Sequence, residues 1–244
     1  MRRFKAIVSY DGHNYAGWQR QNNALGVQEV IEKVINMISK EDITIVSSGR
    51  TDAKVHALNQ VFHFDSNFYL DAQGWYKAIK GYLPKDIYIR SIEEVDENFH
   101  ARFSATSKEY YYLINIKEYD VFKANYAYYS KYELNIPYMI ECSKIFIGEH
   151  DFTSFCANSL NTHPNQVRTI YDINFEIKDD LLKISFKGTG FLRYMVRMIV
   201  QTLILAGCGK LNREDIIKIL DAKSKDACKW NAEPQGLYLY KVNY

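Results

Sequence analysis

Apolar residues along the first hundred positions follow two different periods. Arg3–Tyr10 (RFKAIVSY) alternates partly between apolar and polar residues and holds β-branched side chains, which predicts a strand. Val27–Ser39 places Val27, Val30, Ile31, Val34, Ile35 and Ile38 at helical spacing, which predicts an amphipathic helix. A short strand is expected at Ile43–Val46 and another at Gln60–Asp65. Asp71 marks the start of a helix running to Tyr82, and Ile87–Val95 is a further strand. The polar, Gly-punctuated stretch 11–26 and the segment 47–57 are loops. The resulting order, βαββαβ, is that of a ferredoxin-like split unit, with an antiparallel sheet and helices on one face.

The second half repeats the theme loosely. Strands are expected at Glu109–Ile116, Val167–Lys178, Leu181–Lys187 and Leu237–Val242, the middle pair joined by a turn at Lys178-Asp179-Asp180. Helices are expected at Pro137–Ile147, Phe191–Ala206 and Asn212–Asp221. No repeat or low-complexity linker interrupts the chain. The pattern describes an α+β protein of two ferredoxin-like halves, 1–104 and 105–244, sharing a largely antiparallel sheet.

Composition narrows the class without naming a function. Of 244 residues, 47% are hydrophobic and 25% charged, ordinary globular values that exclude a disordered or collagen-like chain. Net charge is +2, too balanced to announce a nucleic-acid partner, so the placement of the basic residues carries more information than their sum. The 20 tyrosines fit either codon bias or an aromatic surface for stacking bases. Cys142, Cys156, Cys208 and Cys228 form no CxxC pair, and the six histidines show no metal-ligand spacing. The N-terminal apolar run is too short for a secretory signal, and the longest apolar stretch, Met198–Cys208, is well short of a membrane span. These features point to a reduced, cytoplasmic protein with no metal and no membrane contact.

Three segments concentrate chemically useful residues. Ser47–Ala57 (SSGRTDAKVHA) packs Gly49, Arg50, Asp52, Lys54 and His56 between two strands, where a rigid sheet holds functional loops. An arginine near Asp52 keeps its carboxylate ionised, and an ionised, desolvated carboxylate serves as nucleophile or base. The same residues also make an ordinary turn with a surface ion pair. Ala101–Tyr112 (ARFSATSKEYYY) sets Arg102 and Lys108 beside three tyrosines, with Tyr110 and Tyr112 on one strand face and Tyr111 on the other. Such a tyrosine stacks on a base or simply packs in the sheet. In Gly188–Arg197 (GTGFLRYMVR) two glycines open the expected helix, which puts Arg193 and Arg197 four apart on one face. An arginine on an otherwise apolar helix needs a partner, because an unpaired buried charge is very costly. His150, Asp151, Phe152 and Arg168 add a weaker basic and aromatic cluster.

Six segments in order resemble the tRNA pseudouridine synthase A family: YDGHNYAGWQRQ (10–21) followed by VQEVIE (27–32), GRTDAKVHA (49–57), FHARFSATSKEYYY (99–112), GEHDFTSF (148–155), GTGFLRYMVRMIVQTL (188–203) and PQGLYLYKVNY (234–244). The resemblance covers essentially the whole chain. It implies a pseudouridine-synthase-like fold with a central active-site cleft. It also implies isomerisation of uridine to pseudouridine at neighbouring positions on the 3′ side of the anticodon loop and stem of tRNA, without metal or cofactor, by a homodimer. Asp52 then matches the catalytic aspartate, Tyr110 the tyrosine that packs against the target uracil, Arg197 the basic residue that pairs with the aspartate, and Arg50 an arginine that holds the flipped nucleotide's place. Lys54, Arg102, Lys108, Arg168 and Arg193 are candidate RNA contacts. One position departs from the family: Lys54 stands where its loops usually carry Gly, a residue suited to positive φ or close approach.

Two readings compete. A non-catalytic RNA-binding module of paired ferredoxin-like domains explains the Tyr and Lys content but not the GRTD loop or Arg197, and no RNP1-like run is present. An aspartate-nucleophile hydrolase lacks the DxD that would accompany Asp52.

Overall fold

The computed structural model describes residues 1–244 and falls into two units, Met1–Thr106 with Tyr238–Tyr244, and Ser107–Leu237. The first unit begins with β1 (Arg2–Tyr10), α1 (Val27–Ser39), β2 (Val46–Ser47), β3 (His56–Ser66), α2 (Ala72–Tyr82) and β4 (Ile87–Val95), the expected βαββαβ order. β1 lies between β3 and β4, antiparallel to both. Alternate residues of β1 (Phe4, Ala6, Val8 and Tyr10) turn inward and are buried. Phe4, Phe64 and Trp75 of α2 form the centre of this core, with Trp75 edge-on to Phe64 at 5.3 Å. Burying one such side chain contributes about 1.5–3 kcal/mol. Val27, Ile31 and Ile35 of α1 fill the remainder.

The short strand expected at Ile43–Val46 is a correction. Only Val46 and Ser47 pair, antiparallel, with His63 and Phe62 of β3. The backbone before them is claimed by polar side chains of α1: Ile43 N–H donates to Asn36 Oδ1 (2.9 Å) and Ile45 N–H to Glu32 Oε1 (3.1 Å). Glu32 is buried and also accepts from Gln28. A segment whose amides bond to a helix has none left for a ladder.

The second unit contains β5 (Ser107–Asn115), β6 (Tyr128–Tyr129), α3 (Ile136–Ser143), β7 (Gly148–Asp151), β8 (Val167–Lys178), β9 (Leu181–Gly188), α4 (Met195–Gly207) and α5 (Arg213–Asp221). Its sheet runs β5-β9-β8-β7, antiparallel throughout, with β6 added in parallel to β5. Asp179 and Asp180 both have positive φ (49° and 64°), as a two-residue hairpin turn requires. α4 is apolar on most of its surface, with Met195, Val196, Ile199, Val200 and Leu203 buried. α5 starts at a capping box, Asn212 and Asp215 each accepting the other's backbone N–H. No helix is long and apolar enough to cross a membrane.

The last strand, β10 (Leu237–Asn243), differs from the expected division at 104/105. Its residues from Tyr238 onward belong to the first unit. Tyr238 and Leu239 pair in parallel with His56 and Ala57 of β3. Asn59 donates to Tyr240 O (2.7 Å), Thr106 N–H to Asn243 O (2.8 Å) and the Tyr244 hydroxyl to Ala101 O (2.7 Å). One edge of β3 is thus shared by β2 at residues 62–63 and by β10 at residues 56–57.

Candidate active site

The loop 48–55, between β2 and β3, is tied down from below and behind. Ser48 is fully buried and donates to Gln60 Oε1 (2.6 Å), while Gln60 Nε2, also fully buried, donates to Gly49 O (2.8 Å). The Thr51 hydroxyl shares a buried hydrogen bond of 2.8 Å with the Tyr10 hydroxyl, and Thr51 O accepts from Trp18 N–H (3.1 Å). Lys54 N–H donates to Tyr15 O (3.2 Å). The segment after β1 supplies two of these tethers, and it approaches the loop this closely because it is glycine-relieved at two points. A Cβ on Gly17 (φ 95°) would stand 2.5 Å from Thr51 O, and one on Gly12 would stand 2.1 Å from Val55 O. His56, at the start of β3, is buried, accepts Gly12 N–H at Nδ1 (3.1 Å) and stacks on Tyr238 at 4.6 Å.

Asp52 sits half-buried at the centre of this frame, with Arg50 and Lys54 exposed on either side. Val55 N–H donates to Asp52 O (3.2 Å), closing a turn whose third residue, Lys54, has φ 64°. That is the position where a type II turn takes glycine. The substitution noted in the sequence therefore falls on a backbone position that does require the left-handed region. Burial raises the Tyr10 phenol above its ordinary range, with the hydrogen bonds from Thr51 and Gln60 acting the other way, so Tyr10 is a neutral hydroxyl at the base of the loop. Arg102, also in the first unit, is exposed on the turn after His100, and its guanidinium carbon lies 5.6 Å from the ring centre of the exposed Phe103.

In the second unit, β5 alternates as expected. Tyr112 is wholly buried and donates to Glu233 O (2.7 Å), Tyr111 meets Lys183 on the other face, and Tyr110 is half-buried. Tyr110 contacts Phe191 edge-on at 5.2 Å. Lys108 stands on the same strand, opposite Gly188. Arg197 is half-buried in the first turn of α4, its Nε donating to Ala232 O (2.7 Å) while Ala232 N–H returns a bond to Arg197 O (3.1 Å). Arg168 donates to two nearby backbone carbonyls, of Val167 and Asn165.

The expected helix Phe191–Ala206 is corrected at its start. α4 begins at Met195, and its N-cap residue Tyr194 has φ 67°. Arg193 precedes the helix, so it and Arg197 share no helical face. The reason is competition for backbone groups: Arg193 N–H donates to Asn158 Oδ1 (2.7 Å) and Arg193 O accepts from Ala157 N–H (3.0 Å). The two arginines are nonetheless brought to one ring, their guanidinium carbons 4.8 Å and 5.1 Å from the centre of Tyr194. Sequence reasoning missed the frame around the loop, Tyr10, Trp18, Gln60 and Thr51; its one sequence signal was the YDGHNYAGWQ stretch, in which neither Tyr10 nor Trp18 is itself an acid or base that would draw attention.

Residues 6–104 and 142–244 match the family model described as tRNA pseudouridine synthase. The chain belongs to this family. It is 44% identical over 245 residues to tRNA pseudouridine synthase A of Bacillus subtilis (strain 168), covering 99% of each chain. It is 44% identical over 248 residues to tRNA pseudouridine synthase A of Listeria monocytogenes serotype 4b, covering all of both. Among solved structures, a chain of a Cbf5–Nop10–Gar1 complex aligns with TM-score 0.33 and 14% identity over 82% of this chain and 54% of that one.

Proposed function

We propose that this chain isomerises uridine to pseudouridine in the anticodon arm of tRNA, with Asp52 as the catalytic carboxylate. The observation that carries this reading is the similarity to tRNA pseudouridine synthase A over 99% of the chain, with Asp52 presented half-buried on a loop fixed through Thr51 and Lys54. The reaction breaks the bond from ribose C1′ to uracil N1 and forms one from C1′ to C5; the C5 proton leaves and N1 gains one. Atoms balance within the nucleotide, so no redox partner or group donor enters. A carboxylate serves this chemistry by acting at C1′ or by assisting departure of the ring.

Tyr110 holds the detached ring and receives the C5 proton. Arg197 supplies the positive charge that keeps Asp52 ionised. Arg50 fills the place of the flipped nucleotide, whose extrusion costs about a few kcal/mol. Lys54, Arg102, Lys108, Arg168 and Arg193 contact the phosphate backbone, which positions a folded RNA by shape. The active form is a cytoplasmic homodimer; a sedimentation mass of one chain would contradict the second copy.

The test is incubation of the protein with unmodified tRNA transcripts in the presence of EDTA and no added cofactor, with pseudouridine mapped by position. Wild-type protein forms it on the 3′ side of the anticodon arm, while Tyr110→Ala and Arg197→Met lose turnover by about 10²-fold or more. Binding of tRNA without any pseudouridine would favour the non-catalytic RNA-binding module instead.

A further inference from the structure

The loop that presents Asp52 rests on two buried polar pairs whose presence stability alone does not explain. Ser48, Gln60, Tyr10 and Thr51 are between 0% and 8% exposed. Ser48 donates to Gln60, Gln60 donates to the Gly49 carbonyl, and Tyr10 and Thr51 share a hydroxyl–hydroxyl bond of 2.8 Å. A buried hydrogen-bonded pair has a small net effect on stability, and an apolar pair of the same shape is often as good. What a hydroxyl pair gives and an apolar pair lacks is direction. Here the direction is applied to Thr51, the residue immediately before Asp52.

Thr51 is held at its carbonyl by Trp18 and at its hydroxyl by Tyr10, and its β-branched side chain has few rotamers to choose from. On the other side, the Asp52 carbonyl is held by the Val55 amide, and Lys54 is anchored to the Tyr15 carbonyl. With both flanks fixed, the Asp52 carboxylate has little freedom beyond its own side-chain torsions.

We propose that Tyr10 is a positioning residue for catalysis: through Thr51 it fixes where the Asp52 carboxylate stands. The proposal rests on the assignment of Asp52 as the catalytic group. Tyr10 touches no reacting atom, so its loss acts on the orientation of a group needed in the transition state and not on the capture of tRNA.

The experiment compares steady-state kinetics of tRNA pseudouridylation for wild type, Tyr10→Phe, Thr51→Val, Thr51→Ser and the double variant Tyr10→Phe/Thr51→Val, each assayed well below its own melting temperature. Tyr10→Phe and Thr51→Val should each lower kcat by about tenfold or more, equal to about 1.4 kcal/mol, with KM changed by less than about twofold. Thr51→Ser, which keeps the hydroxyl, should retain most of kcat. The double variant should lose no more than the worse single variant, because both remove the same bond. A Tyr10→Phe protein with more than half of wild-type kcat overturns the proposal, as does a loss confined to KM or additive losses in the double variant. Should Tyr10→Phe fail to fold, the Thr51→Ser and Thr51→Val pair decides alone, and equal kcat values for the two overturn the proposal. Full activity in Asp52→Asn would instead remove the underlying assignment, whatever Tyr10 does.

Discussion

Two residues other than glycine sit in the left-handed region beside groups assigned to the reaction. Lys54 (φ 64°) follows Asp52 by two positions and Tyr194 (φ 67°) precedes Arg197 by three. Each costs about 1 kcal/mol relative to a residue suited to that region, and such strain collects where function demands a particular backbone path. Tyr194 regains part of its cost from two guanidinium groups over its ring. Lys54 is exposed, so its side chain has no such compensation from packing. Replacing it by Asn, which tolerates positive φ, should raise unfolding stability by up to about 1 kcal/mol in urea melts. The same change should weaken tRNA binding and reduce the slope of log affinity against log salt by about 0.7–0.9, the release of one counterion. An unchanged salt slope would take Lys54 out of contact with phosphate.

At the scale of elements, β3 does the most. It carries His56 at its start, Gln60 beneath the loop and His63 further along, each buried and each bonded to a segment distant in the chain. His63 accepts Ala101 N–H at Nδ1 (3.1 Å). Burial, then the charges of Arg3 and His100, push its pKa from 6.5 down to about 4. The folded protein thus holds His63 neutral where the unfolded chain would take up a proton. Its contribution is complete above the unfolded value of about 6.5 and is lost as pH falls toward about 4, by up to about 1.4 kcal/mol per pH unit. Stability measured from pH 7 to pH 5 should fall in wild type and stay flatter in His63→Asn, which keeps an acceptor near the Nδ1 position. Parallel slopes would show that His63 does not titrate on unfolding in that window.

The periodic elements were legible in the sequence, since α1, β4 and β8 run between the residues their hydrophobic spacing marks out. The failures at Ile43–Ile45 and Phe191–Tyr194 share a cause. In both, side chains of another segment, Asn36 and Glu32 in one case and Asn158 in the other, take the amides that local propensity would assign to a strand or helix. Asp52 could be singled out because a motif carries it. Its support could not, because Tyr10 meets Thr51 across 41 positions through a contact that leaves no local pattern.

At the scale of the whole molecule, Asp52 belongs to the first unit and Tyr110 and Arg197 to the second, so the proposed reaction depends on both. The return of β10 to the first unit means that a chain cut near residue 104 would leave His56 without the stacked Tyr238 and β3 without part of its edge. The proposed chemistry, for all that, converges on one carboxylate. The most direct measurement is single-turnover pseudouridine formation by Asp52→Asn on a tRNA transcript, with tRNA affinity and thermal unfolding recorded on the same sample. Amide replaces carboxylate at nearly constant shape, so folding and affinity should stay close to wild type while pseudouridine formation disappears. Retention of a tenth or more of the wild-type rate, a loss under about 1.4 kcal/mol, would contradict the assignment of Asp52 as the catalytic group.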